Sequence, residues 1–253
     1  MSYIDLKIAG RVQRVDLPQA VYGARGERIE LRRPVQQGSN GLVLEASRYD
    51  AGGRFADTCA VKVLKALDDT RVDRFRNEIR VLKELHHDGI ASYHADGSIH
   101  LGDQDVPWVA MELGGEHLRR HVEAQGALAK EQLIDVLQQM AAALEHLHGA
   151  GFIHRDVKPE NFVWETTRAE RVLMIDFGIA KRIGEDVSAR PLDNFTRTSE
   201  FVGPVFFSSP ELIAYGRDKT VRVDQRSDIF QLAKVAWFLA TGTISVSPPL
   251  RVG

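Results

Sequence analysis

At 253 residues, with 43% apolar and 27% charged side chains, the chain can bury a substantial core, and its formal net charge of −2 provides no basic field for nucleic acid. Cys59 is the single cysteine, which excludes an internal disulfide and fits a reducing compartment. No apolar run is long enough to span a bilayer and no signal-peptide pattern opens the chain, so the expectation is a cytoplasmic protein without a membrane span.

In chain order, residues 1–28 form an N-terminal extension in which Val12-Gln13-Arg14-Val15 alternates enough to predict an added strand or arm. Glycines at 38 and 41 mark a turn ahead of two strands. The segment Arg48 to Thr58, with Gly52-Gly53, is expected to be a long, mobile hairpin loop. Ala60-Val61-Lys62-Val63-Leu64 alternates as a strand, putting Lys62 and Ala60 on one face. From Asp69 to His87 the apolar residues Val72, Phe75, Ile79, Leu82 and Leu85 recur at helical spacing, with Glu78 beside the stripe.

Trp108-Val109-Ala110-Met111-Glu112-Leu113-Gly114-Gly115 is expected to be an edge strand leading into a hinge. Beyond residue 116 the pattern turns helical: Leu133, Val136, Leu137, Met140, Leu144 and Leu147 share a stripe that stops at Gly149-Ala150-Gly151. Phe162-Val163-Trp164 and Val172-Leu173-Met174-Ile175 read as two short strands around a polar turn. Ile229 to Ala240 carries Gln231 and Lys234 and reads as a core helix. His146 and His148, two apart on a helix, cannot face one ion.

The chemistry is concentrated in His154-Arg155-Asp156-Val157-Lys158-Pro159-Glu160-Asn161, followed by Asp176-Phe177-Gly178. Phosphoryl transfer asks a protein mainly to position a nucleophile and neutralise phosphate charge, and two carboxylates, a lysine and an amide at this spacing suit that task. Asp-Phe-Gly alone would be an ordinary turn; the octapeptide and the triplet together are far more specific. They match HRDxKxxN and DFG, so the chain resembles the protein kinase superfamily, in particular the bacterial Hanks-type (eukaryotic-like) serine/threonine kinases.

That resemblance implies an α+β, bilobal protein kinase-like fold, with a β-rich small lobe at 29–113 and a helical large lobe at 114–253, incomplete after its central helix. It implies ATP and Mg²⁺ as cofactors and a protein hydroxyl as acceptor. Catalysis would fall to Asp156 and Lys158, and metal binding to Asn161 and Asp176. ATP would be held by Gly38, Gly41, Val43, Ala60, Lys62, Glu78, Met111, Glu112, Gly114 and Val163, with Met111 as gatekeeper and the backbone of Glu112 and Gly114 on adenine. Thr196 and Thr198 match the threonine pair that such kinases autophosphorylate, and Arg155 could hold the resulting phosphate. Asp228-Ile229-Phe230-Gln231-Leu232-Ala233 resembles DxWSxG, whose aspartate holds the catalytic-loop backbone.

Departures are equally specific. Gln36 replaces the first glycine of the phosphate loop, Pro204 stands where serine/threonine kinases carry a threonine, and Ser209-Pro210-Glu211 replaces APE. The kinase pattern stops about one helix after Asp228, so the expectation is either a piece of a longer polypeptide with further domains or another covering for the bare face of that helix. A catalytically weak kinase-fold scaffold binding nucleotide or partner proteins is the main alternative. A small-molecule kinase ranks below it, because that class lacks the Lys158-Pro159-Glu160 pattern.

Overall fold

A computed structural model describes residues 3–8, 11–37, 41–165, 170–183 and 206–245. The chain forms two units, Met1–His86 with Ala91–Gly114, and His87–Ile90 with Gly115–Gly253.

The first unit is built on an antiparallel six-stranded sheet of order β3-β4-β5-β6-β8-β7: β3 (Ala20–Tyr22), β4 (Arg28–Gln37), β5 (Gly41–Tyr49), β6 (Phe55–Leu64), β7 (Tyr93–Leu101) and β8 (Gln104–Glu112). Strand alternation divides its residues between two faces. Leu42, Leu44 and Ala46 of β5, Cys59, Val61 and Val63 of β6, and Trp108 and Ala110 of β8 join one apolar cluster. Their sequence neighbours Val43, Ala60, Lys62 and Met111 therefore lie on the opposite face. The register agrees, with Val43 opposite Lys62, Lys62 opposite Val109 and Ala60 opposite Met111.

The N-terminal extension supplies part of the core beneath that sheet. β1 (Tyr3–Ile8) and β2 (Arg11–Asp16) form a hairpin, and Ile4 and Leu6 of β1 belong to the same buried cluster as Val61 and Trp108. Its outer end is tied to the link after β6: the Lys7 amide donates to the Lys65 carbonyl at 2.7 Å, and the Leu67 amide donates to the Lys7 carbonyl at 3.1 Å. Helix α1 (Asp69–Glu84) starts immediately beyond, capped by the Asp68 carboxylate, which accepts from the Arg71 amide. Phe75, Glu78, Ile79, Val81 and Leu82 form its buried stripe.

Two expectations are corrected here. The segment 48–58 is not a long loop: Ser47 pairs with Thr58 and Arg48 with Asp57, and β5 and β6 are joined by a tight turn. Asp50 closes it by accepting from the amides of Gly52 and Arg54, and Gly53 takes φ of +77°, which glycine adopts without a Cβ clash. β8 is not an edge strand either, since it pairs with β6 on one side and β7 on the other. The burial of Trp108, Val109 and Ala110 in succession is what a strand covered on both faces requires.

The second unit contains α2 (Leu118–Gln125), α3 (Lys130–Gly149), α4 (Pro210–Arg217) and α5 (Gln225–Thr241). Two small sheets accompany them. β9 (Gly114–His117), β11 (Phe162–Glu165) and β12 (Val172–Met174) form one in the order β12-β11-β9, and β10 (Phe152–Ile153) pairs with β13 (Lys181–Arg182) in the other. Val136, Met140, Ala143, Leu144 and Leu147 give α3 its buried face, and the polypeptide leaves the helix through Gly151 at φ +84°. α5 buries Ser227, Asp228, Gln231, Val235, Phe238 and Leu239, a stripe of helical period that carries three polar groups inward. Among the described residues, no helix is long and apolar enough to cross a membrane.

Candidate active site

In the first unit the chemistry starts from Lys62 on β6. Its Nζ lies 2.7 Å from each oxygen of Glu78 on α1. Glu78 is 3% exposed and Lys62 17%, so water competes little for either group and the pair fixes the ammonium in place. Ala60, one step along the same face, leaves room that a larger side chain would fill. Gly41 opens β5 over this lysine: a Cβ there would stand 3.2 Å from the Val63 carbonyl and 3.5 Å from Lys62 Cγ, so glycine permits the close approach. Val43 and Met111 border the same face. The Glu112 amide donates to the Ser92 carbonyl at 2.8 Å. Gly114 begins β9. Gly38 lies outside the described residues.

In the second unit, β10 leads into the loop 154–158, a short 3₁₀ turn (Pro159–Asn161) and β11. Two side chains converge on Asp156. Lys158 Nζ is 2.6 Å from its Oδ2, and Asn161 Nδ2 donates to the same oxygen at 3.0 Å and to the Asp156 carbonyl at 2.8 Å. Burial disfavours charge on Lys158, but the carboxylates of Asp156, Asp176 and Glu160 outweigh it, and the lysine pKa is raised. Asn161 and Asp176 are brought together by the chain itself, because the Ile175 amide donates to the Asn161 carbonyl at 2.9 Å. Val163 is buried on β11 between Phe162 and Trp164.

Among the described residues, positive φ outside glycine occurs in this region. Arg155 and Asp176 are the non-glycine residues of positive φ among those described, at 69° and 65°. An L-residue reaches that conformation at a cost of about 1 kcal/mol or more, and surrounding contacts must hold it there. At Asp176 its own Oδ1 accepts from the Gly178 amide at 3.2 Å. Phe177 is fully buried with its ring 5.3 Å from that of His154.

At Arg155 the restraint comes from α5. Asp228, fully buried, accepts from the His154 amide through Oδ2 and from the Arg155 amide through Oδ1, each at 2.8 Å. The sequence resemblance carried this role for Asp228. It did not carry the partners around it. His148 of α3 places Nε2 2.8 Å from Asp228 Oδ2, and Gln231, one turn along α5, accepts from the Val157 amide at 3.2 Å while donating to the Arg155 carbonyl at 3.3 Å. The signal for Gln231 was its three-residue offset from Asp228, which puts both on one helical face. The pairing of Arg119 on α2 with Glu160 at 2.7 Å, across 41 residues of sequence, had no local signal.

Arg155, read from sequence as a phosphate partner, is 5% exposed and lies over the Tyr215 ring at 5.0 Å, with burial depressing its pKa. Thr196, Thr198 and Pro204 lie outside the described residues.

Among the described residues, no cluster of three His, Cys, Asp or Glu side chains could cage a metal unaided. The donors present fit Mg²⁺, which keeps waters and phosphate oxygens and takes only one or two protein oxygens. Asn161 spends its NH₂ on Asp156, which turns its amide oxygen to such a cation, and Asp176 offers a carboxylate. Within the second unit, a carboxylate, an ammonium and two hard oxygens form a set suited to phosphoryl chemistry.

Comparison with known proteins gives the same direction. Residues 29–248 match the protein kinase domain. The chain is 36% identical over 220 residues to the serine/threonine-protein kinase PknA of Mycobacterium tuberculosis, covering 85% of this chain and 47% of that protein. It is 33% identical over 187 residues to PknB of Mycobacterium leprae, covering 72% and 28%. A probable serine/threonine-protein kinase of Streptomyces coelicolor, SCO3848, is 30% identical over 228 residues, covering 88% and 31%. The chain thus spans about half the length of the PknA relatives or less of the others.

Proposed function

The chain belongs to the protein kinase family, and on that premise we propose that it transfers the γ-phosphate of ATP to serine or threonine hydroxyls of protein substrates. The observation that carries this reading is the convergence at Asp156. Lys158 and Asn161 both occupy Oδ2, and among the described residues no donor is bonded to Oδ1. Oδ1 is therefore the oxygen that accepts the hydrogen of a substrate hydroxyl.

Lys158, kept cationic by its carboxylate neighbours, faces the phosphoryl group in transit. Lys62, steadied by Glu78, takes oxygens of the α and β phosphates, and Gly38 and Gly41 are assigned to the loop that covers them. Val43, Ala60, Met111 and Val163 offer apolar surface to adenine, with backbone groups of Glu112 and Gly114 for its polar edge. Asn161 and Asp176 hold Mg²⁺, which neutralises charge on the phosphates when bound. Lys158 favours serine and threonine over tyrosine, and the relatives bear the corresponding names. We assign autophosphorylation to Thr196 and Thr198. Residues 29–113 and 114–253 would act as small and large lobes, with 1–28 as an extension of the former, in the cytoplasm where ATP is abundant.

The test is intact-mass spectrometry after incubation with Mg-ATP, with Asp156→Asn beside the wild type. Phosphate on the wild type alone, mapped to Thr196 or Thr198, is the expected result. Nucleotide binding with no phosphate on either chain would identify a kinase-fold scaffold instead. Equal phosphate on both would show that Asp156 is not the acceptor of the hydroxyl proton.

A further inference from the structure

We propose that Gln231 is a positioning residue for phosphoryl transfer, acting as a two-pronged clamp on the backbone either side of Asp156. The inference rests on the kinase reading above.

Gln231 is 2% exposed and projects from α5 onto the catalytic loop. Its Oε1 accepts from the Val157 amide and its Nε2 donates to the Arg155 carbonyl. These are the backbone groups immediately before and after Asp156, so one planar amide spans the residue from behind. Asp228 already holds the Arg155 amide. Both backbone polar groups of Arg155 are thus bonded to side chains of α5, at the residue whose φ of 69° most needs an external restraint.

Asp228 cannot do this alone. A carboxylate only accepts, and it can hold N–H groups but not a carbonyl; an amide carries both functions. Serine, which the kinase pattern DxWSxG places at this position, has a reach too short to bridge the two groups one residue apart on either side of Asp156. With Gln231 in place, rotation of the 155–156 or 156–157 peptide breaks a buried hydrogen bond, and the Asp156 carboxylate keeps its aim. Without it, the peptide before Asp156 is free to relax toward a negative φ at Arg155, which would swing Oδ1 away from the substrate hydroxyl. Reacting groups misplaced by about 1 Å can lose on the order of a hundredfold in rate.

The test uses the full chain with Gln231→Leu and Gln231→Glu, read by transfer of radiolabelled phosphate to dephosphorylated casein and by hydrogen exchange at the Val157 amide. Gln231→Leu is expected to lower kcat about ten- to hundredfold with KM for ATP within about twofold, and to speed Val157 exchange. Gln231→Glu keeps the shape and the acceptor but, when ionised, sets a negative charge against the Arg155 carbonyl. Its kcat relative to wild type should be low at pH 8 and recover toward pH 6, where a buried carboxyl takes up a proton and can donate again. A purely space-filling role would give no such pH dependence.

Should Gln231→Leu fail to fold, the Glu variant carries the pH comparison by itself. Unchanged kcat in a folded Leu variant, or a flat pH ratio for the Glu variant, would overturn the clamp while leaving the kinase reading intact. If the wild type transfers no phosphate at all, it is the kinase reading that fails, and unchanged Val157 exchange in Gln231→Leu would separately overturn the clamp.

Discussion

Glu78 shows how a pair proposed to serve ATP is also a structural liability. Its carboxylate is buried, and both oxygens bond to Lys62 Nζ at 2.7 Å. Replacing Lys62 by Met should abolish transfer and also strand a buried charge, costing about 3 kcal/mol of stability. Adding Glu78→Gln should restore most of that stability without restoring activity. Urea melts of the two single variants and the double variant check this, and additive losses would show that the two groups do not act as a pair. Strand alternation and helical spacing, both local regularities, placed Lys62 on a strand face and Glu78 beside a helical stripe, and the resemblance to kinases paired them. Sequence assigned no role to Gln231 or His148, whose bonding partners lie 74 to 80 residues away along the chain.

At the scale of elements, the N-terminal hairpin changes the reading of the first unit. Alternation in the sequence pointed only to an added strand or arm, and β2 is largely exposed. β1 has the opposite character on one face: Ile4 and Leu6 are each 1% exposed within the cluster that includes Leu44, Val61 and Trp108. Truncating Leu6 to Ala should therefore cost about 2–5 kcal/mol, the range for a buried large-to-small change. Val12→Ala on the exposed strand should cost less than about 0.5 kcal/mol. Matching urea midpoints for these two variants would show that β1 does not support the sheet. The same hairpin bonds to the link before α1 through Lys7, so loss of β1 should also slow transfer through the helix that carries Glu78.

The whole molecule contains a set of histidines that its packing keeps neutral. Burial depresses the pKa of His94 in the first unit and of His87 and His154 in the second. At His154 the Nδ1 atom already accepts from the Asp156 amide at 3.2 Å, so protonation would displace a bond beside the Asp156 carboxylate. A group with its folded pKa below the unfolded value of about 6.5 leaves the unfolded chain holding more protons in that interval. Stability is then full above about pH 6.5 and falls as pH drops toward the depressed folded values. Thermal melts should show a decline in Tm from pH 7.5 to pH 5.5, with a shallower acid limb in His154→Phe. An identical limb in that variant would remove His154 from the account. Lys158 acts at the other end: its raised pKa adds stability that is complete below the ordinary lysine range and disappears only as pH climbs through the raised value.

What the amino-acid sequence determined by itself was whatever resides in neighbours along the chain. The order of elements, the pairing face of Lys62 and Ala60, and the cluster of Asp156, Lys158 and Asn161 all follow from periods of two, of 3.6, or from a contiguous loop. Tertiary structure decided the rest. It placed β8 inside the sheet, closed the 48–58 segment into a tight hairpin, put β1 into the core, and stowed Arg155 against Tyr215. It also gave Arg155 the positive φ that Asp228 and Gln231 hold. The reason is physical: a strained backbone conformation persists only where distant groups bond its amide and carbonyl, and such partners exist only once α5 has packed behind the loop.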